Sequence, residues 1–453
     1  MNDSSRSKAS WVIVGGGVAG LAVARKLLDQ DVNVTVLEAA PTLGGLASAW
    51  SIGDVTWDRF YHVTLLSDRH LRELLSELDL EREIDWVKTK TGFYSGGRLH
   101  SLSSSLDFLT FPVLSPAEKL RLGATIFFAS KRSDWESLER LTVEQWLRKW
   151  SGASVFEKIW LPLLKCKLGD AYQRTNAAFI WAYIQRMYAA RRSGMKQELF
   201  GIVDGGYRRI MGAWCENLEK RGVSIRCGVK VTKVAKNAKS AELERPRLRI
   251  VYSTNGETHQ IEADNVVVTL PSSQVTKVVE PLSEAERQAH SQIEYLGVIC
   301  TSILLDQPLG GYYVTNITDP GIPITGVIEM GAILSPERLG GHYLVYLPQY
   351  LPAESDRFQE PDSIVHRRCT DTLERMYPNF DRSGVRAIQT ARARHVMSLP
   401  TLEYSKKRAP VKCDTPGLFI LNSARIVDGT LNVNEVLRLV ENEFGNLVCS
   451  DYP

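Results

Sequence analysis

The chain has 453 residues, 44% hydrophobic and 24% charged, enough apolar material for a sizeable core and too much for a globally disordered protein. A formal net charge of +3 is too small to mark a nucleic-acid binder, and the local clusters Arg191-Arg192 and Lys406-Lys407-Arg408 read as solvated faces. Seven cysteines at 166, 215, 227, 300, 369, 413 and 449 include no C-x-x-C pair, so neither a zinc site nor a disulfide framework is expected, and reduced thiols in a cytoplasmic setting fit best.

The opening MNDSSRSKAS is polar and has no apolar core of a secretory signal. No apolar run reaches the roughly 18 residues that a membrane span needs. Trp11 to Val14 reads as a short buried strand, followed by Gly15-x-Gly17-x-x-Gly20 and then Leu21, Ala24, Leu27 and Leu28 at helical spacing. In that strand–turn–helix setting each glycine has a physical task. Gly15 permits the tight turn, Gly17 lets the backbone approach a pyrophosphate, and Gly20 lets helix and strand pack closely. Val18 and Ala19 open the helix, whose free N–H groups face the anion. Val34 and Val36 alternate as a second strand ending at Glu38, with Ala39 beside it, roughly 20 residues beyond the glycines, where a carboxylate accepts from ribose hydroxyls. This order predicts a dinucleotide site.

Beyond it lies a helical stretch with amphipathic segments such as LRELLSELDLE and LTVEQWLRKW. Five tryptophans (135, 146, 150, 160 and 181) fall in one helical block that reads as a separate lobe, most of them as core. Residues 106–132 combine apolar runs with Lys119, Arg121, Lys131 and Arg132. Core packing is the expectation there, with a helix lying on an anionic membrane surface as the alternative. Near residue 200 a glycine turn, an amphipathic helix and two strands return. Asn255-Gly256 between alternating stretches predicts a hairpin, and NVVVTLP a fully buried strand. Residues 286–407 alternate strands (VICTSILL, GHYLVYLP) with one helix, SIVHRRCTDTLERMY. The chain closes with a strand, a loop and a helix beginning near Val433. A second GxGxxG is absent, so no additional NAD(P)H domain is expected.

These pieces in this order resemble the FAD-dependent superfamily that contains protoporphyrinogen oxidase, phytoene desaturase, monoamine oxidase and UDP-galactopyranose mutase. The strongest parts are the fingerprint through Gly44-Gly45, the block from 205 to 234, and the closing PGLFI strand. The resemblance implies an α/β fold: a Rossmann-like FAD-binding domain with a β-meander (1–75, 200–285 and 408–453), interrupted by a mixed α+β substrate domain with a helical lobe (76–199 and 286–407). It implies FAD as cofactor. Gly15, Gly17, Val18, Ala19 and Gly20 would line the pyrophosphate turn, Glu38 and Ala39 the adenosine ribose, and Gly44, Gly45 and Leu46 a second loop beneath the phosphates. Val231 would meet adenine through its backbone, Thr269 would sit on the crossover strand, and the helix from Val433 would point at the flavin pyrimidine edge. Leu46 stands where relatives often carry arginine, and Asn422-Ser423 where they carry Gly-Asp, leaving Ser423 as the expected FAD contact.

The segment 54–75, DVTWDRFYHVTLLSDRHLRELL, resembles the one running beside the isoalloxazine, with Tyr61 and His62 as flavin-side candidates; a satisfied buried histidine is the alternative for His62. Arg186, Arg191 and Arg192 could meet an acidic substrate, although solvated helix faces are the plainer account. No lysine lies between Lys277 and Lys406, and Tyr404 is an isolated candidate for an aromatic cage, so a monoamine oxidase is disfavoured. The expected function is removal of a hydride from a small organic substrate, with no metal and no nucleic acid involved. Redox-neutral mutase chemistry and a non-catalytic scaffold of the GDP-dissociation-inhibitor type are the alternatives.

Overall fold

Alternation within the first strand sets the layering around it. In the computed structural model, which describes residues 8–191, 199–237 and 247–448, β1 (Ser10–Val14) turns Trp11 and Ile13 to one side and Val12 and Val14 to the other. Both sets are buried, against different partners. β1 is a central strand of a five-stranded sheet in the order β10-β2-β1-β14-β20, formed with β2 (Asn33–Leu37), β10 (Ser224–Arg226), β14 (Asn265–Val268) and β20 (Leu418–Ile420). All four pairings are parallel, as crossover connections require.

On the Trp11–Ile13 side pack α1 (Val18–Leu27), α9 (Gly206–Lys220) and α13 (Val433–Val448), their apolar faces meeting through Leu21, Leu27, Trp214 and Leu437. Over the Val12–Val14 side lies the antiparallel meander of β11 (Lys230–Lys236), β12 (Leu248–Thr254) and β13 (Glu257–Ala263), with α10 (Ser272–Val278) against it and α11 (Glu284–Ser291) following. The β12–β13 turn is the expected one, with Asn255 and Gly256 at φ +50° and +83°.

A seven-stranded sheet in the order β19-β15-β18-β17-β16-β7-β8 forms the second large unit. Its strands are β7 (Thr91–Ser95), β8 (Arg98–Ser101), β15 (Tyr295–Leu305), β16 (Val314–Ile317), β17 (Gly326–Glu329), β18 (Tyr343–Pro352) and β19 (Val385–Ser398). All eleven residues of β15 are buried, because both its faces are covered. Ile299, Ile303 and Leu305 meet α12 (Asp362–Met376), while Val298, Cys300 and Leu304 pack with Ile52, Trp57, Phe60 and Phe200. β7 and β8 interrupt a stretch whose sequence suggested helices alone.

Between the two units run the hairpin β3 (Ala49–Ile52)–β4 (Val55–Asp58), α2 (Arg69–Glu77), and the small sheet of β5 (Thr64–Leu65), β9 (Leu199–Ile202) and β6 (Asp85–Lys88).

The helical lobe comprises α3 (Ser105–Thr110), α4 (Pro116–Lys131), α5 (Val143–Ser151), α6 (Ala153–Val155), α7 (Leu161–Leu168) and α8 (Ala177–Arg191), with a π-helical turn at Phe156–Trp160. Capping boxes at Ser104/Asp107, Ser115/Glu118 and Thr142/Gln145 start α3, α4 and α5 and satisfy their first N–H groups. Trp146, Trp160 and Trp181 are buried and Trp135 packs against them, whereas Trp150 is exposed. The expectation of core packing for 106–132 holds for one side only. Leu122 and Ala129 are buried, but Leu106, Leu109, Leu120, Phe127 and Phe128 are exposed.

Candidate functional site

The β1–α1 turn is built by close approaches. A Cβ on Gly20 would stand 1.9 Å from the carbonyl oxygen of Gly15, so no other residue fits without moving the turn. The Thr269 hydroxyl, just beyond β14, buttresses it by donating to the carbonyl of Val14 at 3.0 Å. Gly44 and Gly45, at φ +104° and +58°, fold a second loop onto the first, and the Gly44 N–H donates to Gly16 O at 2.8 Å. Gly17 differs from its neighbours. A Cβ there would meet only the Cα of Gly45, 4.0 Å away, so the space in front of it is open. Gly17 caps α1 with no side-chain acceptor for the first-turn N–H groups of Val18, Ala19 and Gly20.

Glu38 closes β2. Its carboxylate accepts from the N–H of Gly16 at 2.6 Å and from that of Ala40 at 2.7 Å, pinning the acid beside the glycine turn. Its carbonyl accepts from the Val229 N–H at 2.8 Å, which sets Val231, two residues on in β11, next to the same strand end. Ala39 is exposed there. Leu46 turns away and packs, half-buried, into the core beneath the large sheet.

Ser423 and Val433 lie beyond β20. The buried Asn422 side chain donates to Leu270 O at 2.8 Å and accepts from the Ala424 N–H, so it ties the ends of β14 and β20 together. Tyr404 supports the same turn through a hydroxyl donating to Ala424 O at 2.8 Å; it is a buried strut, not part of an aromatic cage. α13 begins at Val433, with Asn432 accepting from the Glu435 N–H. Asn434 accepts from Leu71 N–H, which brings this helix start against α2 and the segment after β4.

That segment holds Tyr61 and His62 between the two units. His62 Nδ1 lies 2.8 Å from Phe60 O, so Nδ1 carries the proton and Nε2 the lone pair. Burial pulls the ring's pKa down to about 4, and the imidazole is neutral at physiological pH. Asp58 Oδ2 is 3.9 Å from His62 Nδ1. Burial pushes the Asp58 carboxyl up to about 8, against the pull of the Tyr207 N–H, which donates to Oδ1 at 2.8 Å from the start of α9. Both groups are neutral, and no ion pair forms between them. The His62 and Tyr207 rings pack 4.7 Å apart. From β18, Tyr346 donates to Asp58 O at 2.6 Å, and the hydroxyls of Tyr350 and Tyr61 lie 3.1 Å apart. Lys167 Nζ sits 3.4 Å from the centre of the Tyr350 ring. Arg186 is neither a solvated residue nor a free anion receptor, because its Nη2 donates to the buried Asp68 at 3.1 Å. The Arg191 side chain and Arg192 lie outside the described residues.

Sequence reasoning overlooked Asp58, Arg59, Tyr207, Tyr346 and Tyr350. The first two adjoin Tyr61 and His62 in the string WDRFYH, the one local signal available. Arg59 hangs by its N–H from Ser48 O, just after the second glycine loop, and its buried Nε meets no acceptor among the described residues.

The donors and spaces fit FAD. Open room before Gly17 and three uncapped N–H groups of α1 suit a diphosphate, and the pinned Glu38 suits a ribose.

Comparison with known proteins agrees. The family model of flavin containing amine oxidoreductases matches residues 18–405. Protoporphyrinogen oxidase 1 of Arabidopsis thaliana is 23% identical over 376 residues, covering 74% of this chain and 68% of its own. The 15-cis-phytoene desaturase of Synechococcus elongatus is 24% identical over 281 residues, 57% of each chain, so this chain spans little more than half of that relative's length. In fold, an oxidoreductase from Methanosarcina mazei superposes with a TM-score of 0.70 at 19% identity, over 96% of this chain and 99% of its own. The chain belongs to the flavin containing amine oxidoreductase family and is an FAD-dependent oxidoreductase.

Proposed function

We propose that the enzyme removes a hydride from an unsaturated or aromatic organic substrate bound beside the junction that the 58–62 segment makes with β18. The observation that carries this is the neutral, aromatic-walled cluster of Asp58, His62, Tyr61, Tyr207, Tyr346 and Tyr350 at the junction of the two units. When bound, FAD supplies the hydride acceptor. The chain positions and shields. Gly15, Gly17, Val18, Ala19 and Gly20 hold the diphosphate with Gly44 and Gly45, Glu38 with Ala39 holds the ribose, and Val231 presents backbone to the adenine. Leu46 contributes packing where a cation would otherwise stand.

On the substrate side, Asp58 and His62 contribute neither a carboxylate nor an imidazolium, the one ammonium at the cluster being Lys167 over the Tyr350 ring, and His62 Nε2 offers a hydrogen-bond acceptor. The tyrosine rings exclude water. The N-terminus of α13 favours the negative charge gained on reduction, by roughly 0.3–1 kcal/mol. With it goes a proposed cofactor unit of residues 1–75, 200–285 and 408–453 and a substrate unit of 76–199 and 286–407, the described residues of the first including all five strands of the parallel sheet.

Anaerobic mixing of the holoenzyme with porphyrinogens, polyenes, amines and amino acids tests the proposal. Bleaching of the flavin absorbance by a porphyrinogen or polyene is the expected result. Bleaching by amines or amino acids alone would overturn it.

Ser423 gives a second expected result. Its side chain follows the structural Asn422 and replaces an acid with a neutral hydroxyl. Ser423→Asp is expected to retain FAD and lower the flavin reduction potential, because the new carboxylate repels the charge gained on reduction. Redox titration of both proteins at one pH and salt checks this, and an unchanged or raised potential would place the loop away from the flavin.

A further inference from the structure

α4 is apolar on both sides but is covered on one. Leu122, Thr125 and Ala129 face the lobe core, while Leu120 and Phe127, on the opposite side of the helix, face outward. The exposed side extends onto its neighbours. Leu106 and Leu109 of α3, Phe128 of α4 and Trp150 of α5 continue it, and these six side chains are between 40% and 77% exposed. They account for six of the ten large apolar side chains that the described residues leave in solvent. The Phe127 and Phe128 rings are 5.8 Å apart, and those of Phe128 and Trp150 5.9 Å. A contiguous patch of this kind marks an interaction surface, whereas scattered apolar residues would not.

Charge says what covers it. Lys119 donates to the Leu109 carbonyl at 2.6 Å, Lys131 sits 5.6 Å from the centre of the Phe127 ring, and Lys149 adjoins Trp150. None of the three lysines pairs with a carboxylate among the described residues. Arg121, at the same edge, donates to the carbonyls of Lys149 and Trp150. The two acids of α3 and α4 are already committed. Asp107 accepts from Ser101, Ser103 and Ser104, and Glu118 accepts from Ser115 and Lys158. An apolar patch rimmed by cations whose charge no carboxylate neutralises, with its acids turned to local bonds, matches an anionic lipid surface, where side chains enter the acyl boundary and lysines meet headgroup phosphates. No helix among the described residues is long and apolar enough to cross a membrane, so attachment here lies in the plane of the surface.

We propose that the outer face of α3 and α4 docks the enzyme on anionic membranes. The test is flotation of the full-length holoenzyme with phosphatidylcholine vesicles made with or without phosphatidylglycerol. Wild type is expected to float with the anionic vesicles and to be released by high salt. The double variant Leu120→Glu, Phe127→Glu should lose at least about tenfold in bound fraction with unchanged flavin content and melting temperature, since both positions are exposed. Lys119→Glu with Lys131→Glu should weaken binding to the anionic vesicles and leave that to phosphatidylcholine alone unaltered. Wild type that stays soluble beside anionic vesicles overturns the proposal, as does a double variant that floats like wild type. So does a dimer in sedimentation that Leu120→Glu dissociates, which would make a second copy the occupant.

Discussion

Gly17→Val is expected to leave the chain folded and to cost at least about a thousandfold in FAD affinity, roughly 4 kcal/mol. Gly17 has φ −74° and ψ 179°, an extended conformation that a branched residue adopts readily. Among the described residues, outside its own turn of chain, its Cβ would meet only the Gly45 Cα, at 4.0 Å. The added side chain occupies the space in front of the first-turn N–H groups of α1, where the diphosphate is proposed to sit. Losing two charge-assisted hydrogen bonds there, at roughly 1.5–3 kcal/mol each, gives the magnitude. FAD titration of the flavin-free variant, with circular dichroism as the folding control, reads the effect. Affinity equal to wild type would mean that the diphosphate lies elsewhere. Gly20→Ala is the instructive contrast, because its Cβ collides with Gly15 O and damages the fold before any ligand arrives.

Asp58→Asn should make the protein more stable than wild type, by an amount that grows with pH. The folded carboxyl stays protonated up to about 8, while in the unfolded chain it ionises near 3.8. Within that window the unfolded state has released a proton that the folded state still holds. Wild-type stability therefore falls as pH rises, by up to about 1.4 kcal/mol per pH unit for this group, and the fall ends once the folded carboxyl ionises too. Asparagine keeps the acceptor for Tyr207 N–H and does not titrate. His62 works in the opposite sense. Its folded pKa near 4 lies below the ordinary 6.5, so it costs stability as pH falls through that interval, equally in both proteins. Urea unfolding of wild type and variant across this range, at one FAD concentration, isolates Asp58 as the difference. A constant difference would mean that the carboxyl ionises normally in the fold.

What the sequence made legible was local. The β1–glycine turn–α1 unit, Glu38 at the end of β2 and the Asn255-Gly256 hairpin all follow from periodicity and turn chemistry within a few residues. The less legible parts depend on distant partners. β19 alternates arginines with small and apolar residues and becomes a strand through its pairing with β15. Asp58 draws its unusual proton affinity from burial by elements nearly 150 and 290 residues away, α9 and β18. Arg186 looked free in sequence because Asp68 lies 118 residues from it. In the lobe, the 106–132 pattern identified apolar helices, but which side of α4 the core would claim depended on how α5 and α8 pack.

The assignment of an FAD-dependent active site is tested most directly by the absorption spectrum of the purified full chain, taken before and after acid precipitation. We propose one FAD per chain held without a covalent link, so a yellow protein whose flavin is recovered in the acid supernatant is the expected result. A colourless chain that takes up no FAD on titration would contradict the site built here from Gly15, Gly17, Gly20 and Glu38.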